Sequence, residues 1–283
     1  VSTVNAVTSI TSDGSAVFYF NPNPSNASTW SEKGAKFYVY FYNENGNAWS
    51  DEATVLDSSH AYVKIPSGTF TNFILTRMNP NATGNPSWNS NNNWGQTNDI
   101  SISALNGNYV SDFGYKNSNI NIVSSNYIQT STAKLDADNT RVTEGTAVTF
   151  TPSLTSNTDF NDIKSVSYTV KKDSVDASSS DYSIEDSKIT FNKAGNYEVT
   201  ANVMYNAKGF SNITKTTTAT TTITVESSLS PVAQSVSLTA SPETVTSGDS
   251  TKLTATLTGK AEGVGNVTYT FKNADGTVGT VEN

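Results

Sequence analysis

A handful of positions in the middle of the chain come back later at one fixed spacing. Leu135, Val142, Gly145, Phe150 and Leu154 recur 103 residues on as Leu238, Val245, Gly248, Leu253 and Leu257. Around them, "KLDADNTRVTEGTAVTFTPSLT" is answered by "SLTASPETVTSGDSTKLTATLT", and "SVSYTV" (165–170) by "NVTYTF" (266–271) after a small indel. A constant offset means one supersecondary unit used twice. That unit is built of strands, because its apolar residues alternate or cluster instead of recurring at three and four. The same texture runs through the whole chain, so the expected fold class is all-β.

The repeated segments resemble bacterial immunoglobulin-like domains. The first copy continues into "AGNYEVTANVMY" (194–205), whose Gly-x-Tyr-x-Val resembles the strand that carries a tyrosine corner in such sandwiches, with Tyr197 as the corner residue. The second copy reaches Asn283 before an equivalent strand can appear, so it is expected to be a partial module with an open edge and half a core. The three expected domains are therefore 1–128, 129–226 and 227–283. The last follows the strand and Ser/Pro linker in "TKTTTATTTITVESSLSPV".

The first part has a different character. All four tryptophans lie in the first 94 residues, and 14 of the 25 Phe and Tyr lie before residue 116. Short β-forming runs, "AVFYF", "AKFYVYFY", "AYVKI", "NFILTR" and "NDISI", are separated by Asn, Gly, Pro and Ser, the pattern of a β-sandwich. In "AKFYVYFY" the pleat puts Ala35, Phe37, Val39 and Phe41 on one face and Lys36, Tyr38, Tyr40 and Tyr42 on the other. The first face is core; the second suits a half-exposed surface, where rings pack while hydroxyls reach water. Tyr19, bracketed by Phe18 and Phe20, is expected near that tyrosine row if its strand pairs there.

Most chemistry is excluded by what the chain lacks. There is no cysteine and a single histidine, His60, which leaves no thiolate metal site, little room for a triad or histidine-based zinc site, and a loop histidine expected to be solvated. The carboxylates Glu32, Glu44, Asp51, Glu52, Asp57, Asp99 and Asp112 lack the apolar framing that raises a pKa for acid catalysis. "NENGN" (43–47) and "DADN" (136–139) lack the spacing of a calcium loop, and turn chemistry accounts for them. The expectation is a protein that is not an enzyme and holds no metal or cofactor. A net charge of −8 without a Lys/Arg run argues against nucleic acid and anionic membranes. No stretch approaches 18 apolar residues, and the sequence opens at Val1 without a charged-then-apolar stretch. A soluble chain, mature or excised, is expected. Ser, Thr and Asn make up 113 of 283 residues, polarity through neutral groups that points to an extracellular or cell-surface bacterial protein.

The tryptophans supply the positive signal. Trp30, Trp49, Trp88 and Trp94 sit among amides, hydroxyls and glycines, as in "NPSWNSNNNWGQTND". A pyranose ring packs its C–H face on an indole or phenol while its hydroxyls seek amides, a combination that ligand sites provide. Taken in order, "FYFNPN", Trp30, "GAKFYVYFYN", "GNAW", "IPSG", "FILTRMNP" and "W…NWGQTNDI" resemble the starch-binding carbohydrate-binding modules of family 26, with the related family 25 behind it, over residues 14–103. The resemblance implies a β-sandwich binding α-1,4-glucan without catalysis. It implies a platform of Tyr19 and Trp30, with Gln96 bonding glucose hydroxyls and Arg77 either joining it or bracing the loop. From their own surroundings Tyr40 and Trp49 are further candidates, and Trp94 packs while fixing Gln96. Trp88, in the insert "NATGNPSWNSNN", has no family counterpart and is either a lid or a structural ring. The expected partners are starch and malto-oligosaccharides and, further, other modules of a surface starch-degrading complex. The alternatives are a protein-binding adhesin, with the aromatic cluster as interface hot spot, and the binding part of a larger amylase.

Overall fold

A computed structural model describes residues 7–115, 121–228, 235–258 and 269–279. It is all-β, with three short 3₁₀ turns as its only helical elements among the described residues, and none of these is long and apolar enough to cross a membrane. Two compact units emerge, 1–226 and 227–283.

The first sandwich of the larger unit faces one sheet with another. Strands β1 (Ile10–Ser12) and β7 (Gly68–Phe70) form a small separate pair. One large sheet contains β3 (Lys36–Asn43), β4 (Gly46–Trp49), β8 (Asn72–Met78), β9 (Asn93–Gln96) and β10 (Ile100–Ser101), in the order β10-β8-β3-β4 with β9 also on β8. The other contains β2 (Val17–Phe20), β5 (Thr54–Val55), β6 (Ala61–Lys64), β11 (Tyr109–Asp112) and β12 (Val123–Ser125), in the order β12-β11-β2-β6-β5. The alternation of β3 decides its faces as expected: Phe37, Val39 and Phe41 are buried against Phe18 and Phe20 from the opposite sheet. Tyr40 and Tyr42 stay half-buried on the outside.

The second sandwich has one sheet of β13 (Ala133–Ala137), β15 (Ala147–Leu154), β19 (Lys188–Phe191) and β18 (Tyr182–Glu185), in that order. Its other sheet runs β14 (Arg141–Thr143), β21 (Phe210–Glu226), β20 (Gly195–Ala207), β16 (Asn161–Lys172) and β17 (Val175–Asp176). Read as A-B-E-D against A′-G-F-C-C′, this is the immunoglobulin strand arrangement. Tyr197, near the start of β20, is fully buried, and its hydroxyl donates to the carbonyl oxygens of Lys193 at 2.8 Å and Asp181 at 3.3 Å, a tyrosine corner. Tyr197→Phe leaves the ring in place, takes the hydroxyl donor from Lys193 O and leaves Asp181 O with the Asn192 amide alone, at 2.8 Å. The expected cost is about 1–2 kcal/mol, read as a lower urea midpoint at unchanged m-value, with no change in ligand affinity.

Two expectations are corrected at the seam between the sandwiches. Strand β2 pairs with β6 and β11, not with β3, so Tyr19 lies on the far side of the sandwich from the tyrosine row. There it is 1% exposed, packed edge-on against Tyr127 and bonded by Gln129, whose side-chain amide donates to its hydroxyl at 3.3 Å. Burial pushes its phenol up to about 12. Tyr62 packs against Phe160 of the second sandwich, and the Val17 amide donates to Lys208 O at 3.0 Å. The turn at Gly209 closes this contact: a Cβ there would lie 2.3 Å from that of Ala16, so glycine is required by the approach itself. His60 is likewise not a solvated loop residue. Its ring stacks on both Tyr109 and Tyr127, at 4.9 and 4.4 Å, while Nδ1 meets Asp57 at 2.9 Å.

In the smaller unit, β22 (Ser235–Ser241) pairs with β23 (Lys252–Thr258), and β24 (Phe271–Lys272) with β25 (Val278–Gly279). The segment that answers "SVSYTV" begins at Asn266 and so lies partly outside the described residues.

Candidate functional site: an aromatic face on the first sandwich

Three of the expected site residues meet on the outer face of the β3 sheet. Tyr40 on β3 stands directly across from Trp49 on the edge strand β4, so the pleat sends both rings outward together. Trp88 folds back onto them from the loop after β8. The centroids form a triangle, with Trp49–Trp88 at 4.6 Å, Tyr40–Trp49 at 4.9 Å and Tyr40–Trp88 at 5.1 Å. The planes meet at 43°, 58° and 80°, so the surface is angled and not flat. Tyr42 extends the row at 5.5 Å from Tyr40, its hydroxyl donating to Asp99 at 2.7 Å; burial first, then this bond, raises its pKa. Trp88 remains 44% exposed even with two rings beneath it.

The asparagines that looked like mere loop formers hold Trp88 there. Asn92 is buried and donates to Thr83 O at 2.9 Å and to the Asn85 side chain at 3.1 Å; Asn85 donates to Asn79 O at 2.8 Å, and the Asn79 amide to Asn92 O at 2.7 Å. Short polar side chains satisfy the backbone of a segment with no sheet partner. The insert is thereby a built support for one exposed indole.

Gln96 lies on the same outer face by register, opposite Thr76, which in turn stands opposite Tyr38. Its side-chain oxygen accepts from Asn93 at 2.7 Å, which leaves its NH₂ directed outside that bond.

The remaining expected residues gather elsewhere. Trp30 is a correction: it is 3% exposed, wedged among Phe37, Phe113 and Tyr115 at 5.3, 5.1 and 6.0 Å, and offers no ring face to a ligand. Polar neighbours misled the reading, because a 3₁₀ turn at Ser25–Ala27 delivers a single large ring inward while its neighbours stay outside. Arg77 faces the other way from Gln96, across from Phe37, and braces the loop: Nε donates to Trp30 O, Nη2 to Glu32 O at 2.9 Å, and the guanidinium lies 4.8 Å over the half-buried Trp94 ring. Next to Trp94, Gly95 sits so close to Tyr115 that a Cβ would fall 2.2 Å from its hydroxyl. That hydroxyl donates to Trp94 O at 3.0 Å. Arg77→Ala is expected to lower stability by about 1–3 kcal/mol, since it strands Trp30 O and takes the charged donor from Glu32 O, which keeps only the Ala35 amide at 3.3 Å. Arg77→Lys should not restore the loss, because an ammonium cannot reproduce the planar fork. Denaturant titration of both variants checks this.

Among the described residues no group of three or more His, Asp or Glu side chains is placed to hold a metal ion. The aromatic triangle carries no charged group of its own and can offer dispersion, C–H contact and hydrogen bonds from indole N–H and phenol O–H groups.

Neither a protein-family model nor a curated protein matches the sequence. Several solved structures resemble the chain at low identity. The mouse nectin-like molecule 4 ectodomain is 13% identical, over 70% of this chain and 57% of that one, with a TM-score of 0.23. The N-terminal four immunoglobulin domains of Dscam1 isoform 4.44 are 15% identical, over 68% and 38%, with a TM-score of 0.25. A putative membrane anchored protein from Corynebacterium diphtheriae is 12% identical, over 89% and 58%, with a TM-score of 0.20. The chain thus spans little more than half of the first of these, and superpositions this loose carry no argument about function. The immunoglobulin-like arrangement of strands β13 to β21 stands on its own strand order.

Proposed function

We propose that the first sandwich is a non-catalytic binding module for starch and malto-oligosaccharides, with Tyr40, Trp49 and Trp88 as its contact surface. The observation that carries this reading is the exposed, braced triangle of three rings in a neutral, amide-rich setting. An angled set of rings suits the bent path of an α-1,4-glucan, whose successive pyranoses turn, better than a flat β-1,4 ribbon, which calls for coplanar rings. Gln96 contributes an amide toward the sugar hydroxyls on the same face. Arg77, Trp30 and Trp94 are structural in this reading, and Tyr19 belongs to the seam between the sandwiches. The immunoglobulin-like sandwich acts as a spacer that orients the binding face in a secreted or cell-surface bacterial protein, alone or as part of a larger amylase or starch-degrading complex.

Electrophoresis of the native protein through gels containing amylopectin, pullulan, xylan or a soluble cellulose derivative tests the proposal. Retardation is expected in the two α-glucan gels only. Equal mobility in all four removes the starch reading and leaves the protein-interface alternative, in which exposed aromatic anchors contact a polypeptide.

A further inference from the structure

The aromatic triangle continues into a polar set on one side. The next outward residue of β3 after Tyr40 is Tyr42, its ring 5.5 Å from that of Tyr40 and tilted by 31°. Register puts an amide on either side of it: Asn47 of β4, two residues before Trp49, and Asn72 of β8. Residues directly opposed across strands share a face, so both amides stand outward with the ring. Asp99, from the segment between β9 and β10, joins them through Oδ1, which accepts from the Tyr42 hydroxyl at 2.7 Å. Much hydrogen-bonding capacity is left over. Asp99 Oδ2 accepts no bond and the Asn47 side chain makes none among the described residues. Asn72 uses its side-chain oxygen to accept from Thr71 Oγ1 at 2.9 Å, which leaves its NH₂ donors. Asn47 and Asp99 are exposed, and Tyr42 and Asn72 half-buried. In the other direction along β3 the face is closed, Tyr38 being 7% exposed.

We propose that Tyr42, Asp99, Asn47 and Asn72 form a second sugar subsite, so that a bound α-1,4-glucan runs along β3 from the triangle to Tyr42 and is held over at least one glucose unit more than the triangle alone can hold. This rests on the reading of the triangle as an α-glucan site. The Tyr42 ring continues the floor with a small turn from Tyr40, as a chain whose successive pyranoses turn requires. Asp99 Oδ2 accepts from a hydroxyl at the sugar's edge, and the two asparagine amides donate to the oxygens beside it. The Tyr42 bond holds the carboxylate in place beforehand, so little ordering is needed on binding. An ionised carboxylate only accepts, so the subsite selects a neutral, hydroxyl-rich unit and repels an acidic glycan, whose own carboxylates would face Asp99.

Tryptophan fluorescence titration of the full chain with maltose and with maltoheptaose tests this, on the parent, Asp99→Asn and Asn72→Ala. Asp99→Asn keeps an oxygen for the Tyr42 hydroxyl and replaces the free acceptor with a donor. Its maltoheptaose affinity is expected to fall about 10-fold, and its maltose affinity far less, because the triangle can hold the shorter ligand. Asn72→Ala should shift the ratio the same way by a smaller factor, with both variants melting at the parent temperature. A longer chain also gains by offering more registers, but that gain survives the substitutions. An equal loss for both ligands makes Asp99 a strut of the triangle and overturns the proposal, as does a parent affinity for maltoheptaose retained in Asp99→Asn. A parent that is retarded by amylopectin but binds maltose as tightly as maltoheptaose overturns the subsite alone. A parent that shows neither titration nor retardation overturns the reading of the triangle and the subsite with it.

Discussion

Trp49→Ala is expected to abolish retardation by amylopectin while the protein stays folded. Of the three rings, only Trp49 touches both others within 5 Å: it flanks Tyr40 across the β3–β4 pair and supports Trp88 from below. Its removal takes away one contact face and the floor of a second. Losses at such central aromatic anchors are about 2 kcal/mol or more, ~30-fold in Kd, enough to erase a shift in gel mobility for a ligand held in the micromolar range or weaker. The fold tolerates the change because Trp49 is half-buried on an edge strand, and the core on the opposite face of β3 does not use it. Trp88→Ala should weaken binding less, since Tyr40 and Trp49 remain paired. Isothermal titration with maltoheptaose ranks the two variants. If Trp49→Ala binds like the parent and still melts at the parent temperature, the rings are not the contact surface.

How far these features could be read from the sequence depended on how local their causes are. The faces of β3 were legible because alternation is decided within eight residues, and Tyr197 because the shorter of its two hydroxyl bonds goes to the carbonyl four residues back. Trp88 and Trp49 were recognisable as exposed candidates from their polar surroundings, yet their meeting was not, since it depends on a loop returning across 39 residues of chain. Tyr19 and His60 were misplaced for a related reason. The alternation in "VFYF" says that Tyr19 opposes its neighbours, but not which sheet receives the strand, and what buries it, Tyr127 and Gln129, lies more than a hundred residues away. Trp30 marks the sharpest limit. Composition in a window reports the average exposure of a turn, and one ring turned inward leaves no trace in that average.

Trp30→Ala therefore separates packing from binding. The indole sits in the first core between Phe37 and Phe113, and Arg77 holds its carbonyl, so deletion opens a cavity that the loop cannot collapse into without breaking that brace. Truncations of this kind cost about 3–5 kcal/mol. One term runs the other way: the buried indole nitrogen Nε1 has no hydrogen-bond partner among the described residues, so its removal relieves a desolvated donor worth about 1–3 kcal/mol. At mid-range the packing loss exceeds that relief, so net destabilisation of about 2 kcal/mol is expected, and Trp30→Phe should lose less because it keeps a ring and discards the unpaired N–H. Urea unfolding measures both. At temperatures where the variants remain folded, their amylopectin retardation should equal the parent's, since Tyr40, Trp49 and Trp88 lie across the sheet from the cavity. A folded Trp30→Ala protein that has lost all retardation would return the binding site to the loop end of the sandwich and away from its outer face.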